Sequence, residues 1–203
     1  NKYVDAAVAT RDPGVAARAT RLALYIKKYD KALETALIWA EVEPENVDAR
    51  RQTVGLLLQM GKLELAIAHM EAIKQPGGIA SFDVFARRAP DLAPKQRTAV
   101  LAAITEILDR RPDDAELLFS RAALLEHSGQ LPEALAIAEK LLTVSEKVNV
   151  VVLKASILNT MQREGDAIAY LKGAVNASQP NRRLKLILAR MLFKEGDFEA
   201  AKV

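Results

Sequence analysis

A column of small residues recurs along the chain at Ala32, Ala66, Val100, Ala134, Ala167 and Ala201, at intervals of 34, 34, 34, 33 and 34. A fixed period of this length points away from a single central core and toward a stack of identical supersecondary units. Five residues before the column stand Lys27, Gly61, Lys95, Gly129, Gln162 and Gly196. These are the places where a helix must stop and reverse, and glycine tolerates the left-handed backbone of such a stop. Seven residues after the column come Trp39, Ile73, Ile107, Leu141 and Ala174, apolar and in helical register with it. Twelve after it come Pro44, Gly78, Pro112, Glu146 and Gln179, with Pro180 one residue late, and proline or glycine there ends a second helix. Each repeat is therefore predicted as helix, turn, helix, turn. Asp12 before Pro13 reads as a helix N-cap, Asp113 with Glu116 has the spacing of a capping box, and Asn46 and Ser81 can serve similarly.

Two short helices cannot bury an apolar face alone, so successive hairpins must stack. The expected fold is all-α, a right-handed superhelical solenoid of antiparallel helix pairs with about five and a half repeats and a concave inner groove. The stretches Gly61-Lys62-Leu63-Glu64-Leu65-Ala66 and Gly129-Gln130-Leu131-Pro132-Glu133-Ala134, with the later prolines, closely resemble the tetratricopeptide repeat, and the resemblance covers essentially the whole chain. The repeats run at about 13 to 46, 47 to 80, 81 to 114, 115 to 148 and 149 to 181, with a partial sixth over 182 to 203. Residues 1 to 12 read as the end of a preceding helix, and the 203 residues as one solenoid cut from a longer chain.

Two repeats depart from the pattern. In the third, Arg88 occupies a column held elsewhere by Thr20, Val54, Ala122, Ala155 and Ala189, where an unpaired guanidinium is costly to bury. Pro90 shortens the same helix and Gln75-Pro76-Gly77-Gly78 loosens the turn before it, so this hairpin is expected to be degenerate and the stack bent or opened near 75 to 95. The fifth repeat is one residue short around Arg163-Glu164-Gly165-Asp166, which predicts a tightened turn.

Catalytic chemistry finds little to work with. The two histidines, His69 and His127, lie 58 residues apart without ligand-like neighbours at one-turn spacing, and there is no cysteine, phosphate loop, dinucleotide fingerprint or nucleophile elbow. No catalytic, cofactor-binding or metal site is expected. The acidic clusters Glu41-Val42-Glu43-Pro44-Glu45 and Arg111-Pro112-Asp113-Asp114 sit at inter-helix turns, where carboxylates favour the next helix N-terminus. With 29 Lys and Arg against 26 Asp and Glu, the net charge of +3 is too small and scattered to indicate nucleic acid. No apolar run is long enough to span a membrane, so a membrane is expected only through an anchor outside these residues.

What the period offers is a surface. Fifteen residues before the column, on the first helix of each hairpin, stand Ala17, Arg51, Phe85, Phe119, Val152 or Leu153, and Leu186, with Leu24, Leu58, Leu92, Phe193 and Phe82 in neighbouring rows. Arg51, Phe82, Phe85, Phe119, Leu153, Leu186 and Phe193 are thus expected to line the groove, and a partner's helix or extended segment to cover them. Arg18, Arg21, Arg183 and Arg190 are candidate contacts for an acidic partner. Co-chaperones of the tetratricopeptide clamp type hold a terminal carboxylate with Lys and Asn on consecutive first helices. The equivalent places here, Ala17 and Arg21 followed by Arg51 and Gly55, lack the Asn, which disfavours that adaptor class. The last helix, 182 to 194, carries five basic residues and no acid, yet it lacks the aromatic interleaving of a base-stacking surface.

Ala17-Arg18-Ala19-Thr20-Arg21-Leu22-Ala23-Leu24, Ala36-Leu37-Ile38-Trp39 and Pro44-Glu45-Asn46-Val47-Asp48-Ala49-Arg50 resemble the start of proteobacterial outer-membrane tetratricopeptide lipoproteins, over about the first fifty residues. That resemblance implies a scaffold on the periplasmic face of the outer membrane, an adaptor that brings a carboxy-terminal processing protease together with the peptidoglycan hydrolases it degrades. A lipobox cysteine is lacking here, so an implied anchor lies elsewhere. The alternatives are a tetratricopeptide scaffold for another assembly or chaperone complex and, further off, a nucleic-acid or anionic-surface binder acting through helix 182 to 194; for location, the cytoplasm stands as the alternative to the periplasm.

Overall fold

The computed structural model describes residues 2–74, 80–144, 147–177 and 181–201. Among these residues every regular element is helical. In chain order they are α1 (Lys2–Thr10), α2 (Pro13–Tyr25), α3 (Tyr29–Val42), α4 (Val47–Gln59), α5 (Leu63–Lys74), α6 (Asp83–Arg88), a 3-10 turn (Ala89–Asp91), α7 (Pro94–Arg110), α8 (Ala115–His127), α9 (Leu131–Val144), α10 (Val148–Thr160), α11 (Glu164–Ala177) and α12 (Arg182–Lys194). The chain divides into two compact units, one formed by 1–82 with 98–107 and the other by 83–97 with 108–203.

In the first unit α2 packs against α3 and α4 against α5, while α1 lies on α2 and α3. Small side chains permit this close approach. Ala23, Ala32, Ala36 and Ala66 have essentially no exposure and gather with Leu33, Leu56 and Leu57 in one cluster, while Ala7, Ala16, Ala19 and Ala49 gather around Trp39 and Ala40 in another. Full burial of a side chain such as Leu57 contributes about 1.5–3 kcal/mol. In the second unit α8 pairs with α9 and α10 with α11, and α12 packs on α11 and α10. Val151, Ala155, Leu171, Leu184, Leu188 and Leu192 form the shared core of α10, α11 and α12.

The repeat spacing corresponds to real burial. Ala32, Ala66, Val100, Ala134 and Ala167 are all fully buried, and Trp39, Ile73, Ile107 and Leu141 seven residues on are buried as well. Of the residues placed at the reversals, Lys27, Gly61, Gly129, Gln162 and Gly196 have φ of 57°, 71°, 78°, 59° and 83°, the left-handed stop of a helix. Lys95 is the exception, because α7 begins at Pro94 and takes Lys95 into its first turn. Asp12 accepts from the Val15 N–H at 2.8 Å, and Asn46 accepts from Asp48 and Ala49 at 3.0 Å each. At the fourth repeat the cap is Asp114, which accepts from Glu116 and Leu117 at 3.2 Å, and not Asp113, which instead pairs with Lys140 at 2.8 Å. Ser81 caps nothing, since α6 starts two residues later, where the Asp83 N–H donates to the Glu116 carboxylate at 3.4 Å.

The third repeat has a first helix of only 6 residues, followed by the 3-10 turn into which Pro90 leads. A helix ended early leaves carbonyls without partners. Arg97 supplies them, its guanidinium donating to the Leu92 carbonyl at 2.6 Å and the Ala89 carbonyl at 3.3 Å. Arg88 is half-buried, while the next residue, Ala89, takes the fully buried place. The turn at 75 to 78 expected to be loose lies outside the described residues, as do the helix ends expected at Gly78, Glu146, Gln179 and Pro180. The missing residue of the fifth repeat is not in its hairpin turn. Residues 161–163 join α10 to α11 with the same length as 60–62 and 128–130. The deletion falls between α9 and α10, where three residues stand in place of the four that join α3 to α4 and α7 to α8, and of those three 145 and 146 lie outside the described residues.

Candidate protein-binding surface

The residues expected to line a groove divide into core and surface. Phe82 and Phe85 have no exposure at all. Phe85 lies on α6, which packs against α8, and the Lys74 ammonium sits 5.5 Å from the centre of the Phe82 ring. Both are structural, because the shortened α6 does not hold the register that 34-residue arithmetic assigns to it. Leu153 is also buried, at 6% exposure, and its neighbour Val152 takes the half-buried place in the row. Leu92 is buried too, and Leu24 and Leu58 are half-buried.

The remaining candidates reach the surface. On α2 and α4, Arg18, Arg21 and Arg51 are exposed. Arg21 lies 5.8 Å over the Trp39 ring, a cation–π contact that occupies its inner side, and Arg51 stands 3.9 Å from Asp48. In the second unit, Phe119 on α8 is half-buried, whereas Leu186 and Phe193 on α12 are 50% and 64% exposed. Arg183 and Arg190 on α12 are exposed as well. Phe193 meets Phe198 edge to face with ring centres 5.1 Å apart. Asn181 caps α12 by accepting from the Arg183 and Leu184 N–H groups, and Leu184, Leu188 and Leu192 anchor its opposite face. The helix is thereby fixed in rotation with Leu186 and Phe193 outward.

Of the acidic turn residues, Asp114 caps the N-terminus of α8 as expected, while Glu41, Glu43 and Asp113 are engaged by neighbouring side chains. Glu43 accepts from Trp39 Nε1 at 2.8 Å and from the Asn46 amide at 2.7 Å, and Glu41 pairs with Arg11 at 2.6 Å. On the inner helices of the second unit, Glu126 is 7% exposed and accepts from the Ser156 and Thr160 hydroxyls of α10, which ties α8 to α10. Sequence reading did not single out Glu126, although a carboxylate amid Ala122 to Leu125 on a first helix is a signal of a buried polar link.

His127 Nδ1 lies 2.9 Å from the Ala123 carbonyl. His69 borders an open cleft of about 450 Å³ lined by Leu37, Ala40, Glu41, Pro44 and Arg50. Its Nδ1 is buried without a partner, and burial together with the nearby Arg50 charge holds the imidazole below the ordinary value of 6.5. In the window below pH 6.5 the unfolded chain binds a proton that folded His69 refuses, so stability falls as pH drops until both states are protonated. Urea unfolding at pH 7.5 and 5.5 should show this loss in the natural chain and a smaller one in His69→Gln. Equal losses in both would place the titration at another group. Among the described residues no cluster of three His, Asp or Glu side chains is arranged to hold a metal ion, and no helix is long and apolar enough to cross a membrane.

Comparison with known proteins agrees with the repeat arithmetic. A sequence model described as "Tetratricopeptide repeat" matches residues 99–146. A "TPR repeat-containing protein" of Pseudomonas aeruginosa is 33% identical over 189 residues, which cover 93% of this chain. The chain spans about a third of that relative's length, 32%. Among solved structures, a thermophilic TPR protein of Thermus thermophilus aligns with TM-score 0.58 at 16% identity, over 90% of this chain and 100% of the other. A TPR protein described as having an unusual peptide-binding site aligns with TM-score 0.52 at 16% identity, over 97% and 98%. The chain thus carries tetratricopeptide-repeat sequence and has the fold of tetratricopeptide-repeat solenoids.

Proposed function

We infer that this protein is a non-catalytic scaffold that holds other proteins on the exposed faces of its first helices. The observation that carries this reading is the tetratricopeptide-repeat fold itself, a stack of helix hairpins like that of a solved repeat protein with a peptide-binding site, whose first helices leave Arg18, Arg21 and Arg51 exposed. Repeat solenoids of this kind present an extended surface to other proteins and bury no central site for chemistry. The finer reading is that of an adaptor on the periplasmic face of the outer membrane, which binds a carboxy-terminal processing protease and delivers cell-wall hydrolases to it. It is supported by the likeness of residues 17 to 50 to that lipoprotein group.

The test is a degradation assay with purified components. The same organism's carboxy-terminal processing protease is mixed with a peptidoglycan hydrolase, with and without this chain. The adaptor reading expects faster hydrolase loss in the presence of the chain and none with the chain alone. An unchanged rate, with neither protein retained by the immobilised chain, would remove the protease as partner.

A further inference from the structure

The cleft beside His69 departs from the pattern of the other repeats. Arg50 is the fourth residue of α4, and the same place on the full-length first helices α2, α8 and α10 of the other complete repeats holds Ala16, Leu118 and Val151, all buried. The arginine is half-buried there, its Nε–H donating to the Pro44 carbonyl at 2.7 Å. That bond fixes the guanidinium, whose Nη groups form no hydrogen bond or ion pair among the described residues. Glu41 lines the same cleft, but Arg11 engages its carboxylate at 2.6 Å, so Arg50 stays without a counter-charge from its own chain. The depressed imidazole of His69 is consistent with this: burial, and then the Arg50 charge, keep the ring neutral.

The apolar residues around it depart in the opposite sense. Leu37 stands five residues after the small-residue column, where the later repeats have Glu71, Thr105, Glu139 and Lys172. Leu65 stands one residue before it, where the other complete repeats have Lys31, Ala99, Glu133 and Asp166. Leu37 lines the cleft with Ala40 and Pro44, and Leu65, 51% exposed, shares the His69 face of α5 one turn away. Polar and apolar residues have thus exchanged places around one cleft. A cation stands where the other repeats bury an apolar side chain, and leucines stand where they carry mostly charged ones.

We propose that this cleft binds a small aliphatic carboxylate, its carboxylate on the Arg50 guanidinium and its hydrocarbon chain along Leu37, Ala40, Pro44 and Leu65. A guanidinium fork matches the two oxygens of a carboxylate. The volume, about 450 Å³, falls in the range of small-molecule sites. The rest of the lining decides between ligand classes. With Glu41 held by Arg11, the described lining beyond Arg50 and His69 offers no side-chain partner for the amides of a peptide, which would lose water without gaining bonds. A phosphate group brings more negative charge than one arginine balances and would meet the Glu41 carboxylate and the Leu37 side chain. The site goes beyond the scaffold reading and does not rest on it.

The probe is octanoate, titrated into the intact chain and followed by NMR at the ring nitrogens of its two histidines. Octanoate should shift the His69 signals saturably and leave those of His127 unmoved. Acetate, which lacks the chain, and 1-octanol, which lacks the charge, should each bind at least about tenfold more weakly. Arg50→Leu installs the residue that α8 has at this place, so the fold should survive while octanoate binding weakens by about tenfold or more. Leu37→Thr with Leu65→Glu, the residues of the third and fourth repeats at these positions, should weaken it similarly with unchanged circular dichroism.

Equal affinity for octanoate and 1-octanol would overturn the proposal, as would octanoate binding that Arg50→Leu retains, shifts at both histidines alike, or no saturable shift at His69. Inorganic phosphate that binds more tightly than octanoate, and is lost in Arg50→Leu, would assign the cleft to phosphate-type anions instead. An end-blocked peptide with one glutamate between leucines that binds more tightly, with the same loss, would assign it to a protein segment. The first-helix residues Arg18, Arg21 and Arg51 lie outside the cleft lining, so failure here leaves the scaffold reading to its own degradation assay.

Discussion

Phe85→Ala should destabilise the protein by about 3–5 kcal/mol, the range for deleting a buried aromatic side chain together with the cavity it leaves. The ring is fully buried on α6, a helix of 6 residues that has little hydrogen-bonded structure of its own to fall back on. Its position rests on packing against α8 and on Arg97 closing the carbonyls of the following turn. Chemical denaturation compared with Phe193→Ala is the check. Phe193 is 64% exposed, and its removal should change stability by no more than about 0.5 kcal/mol. Similar effects at the two sites would mean that Phe85 is not the core residue its burial indicates.

Ala66→Leu should cost about 1–3 kcal/mol, because the added atoms meet a position with no free surface between α4 and α5. The same change at the exposed Ala68, two residues along the same helix, should be near neutral, since leucine and alanine differ little in helix propensity. Urea unfolding of the pair separates overpacking from propensity. A neutral Ala66→Leu would show that the small-residue column is not what sets the helix spacing.

The period made the hairpins legible because it reports burial directly. A residue at the closest point between two helices has to be small, and one at the reversal has to accept positive φ. Both demands recur wherever the two helices keep their lengths. The same arithmetic failed where those lengths change. Pro90 ends α6 early and Pro94 starts α7 early, so Lys95 falls inside a helix, and Phe82 and Phe85 turn into the core instead of toward a groove. The one-residue deletion left the choice between Val152 and Leu153 open, and packing chose Leu153 for the interior. Asp113 and Asp114 are chemically equivalent as caps in sequence. Only the position of Lys140 separates the ion-paired residue from the capping one. The exposed face of α12 was legible as basic in sequence.

The surface reading now rests on fewer residues than the sequence suggested. Phe82, Phe85 and Leu153 leave the list of candidates for partner contact, and Arg21 is partly engaged by Trp39. Arg18 and Arg51 on the first helices of the first unit, and Leu186, Phe193, Arg183 and Arg190 on α12, remain at the surface, with Phe119 half-buried.

Hydrogen exchange of the intact chain, free and saturated with a partner protein that it retains, tests the central claim most directly. The account predicts added protection concentrated in the first helices of the hairpins, with the second helices α3, α5, α9 and α11 little changed. Protection confined to those second helices, with the first helices exchanging as in the free chain, would contradict it.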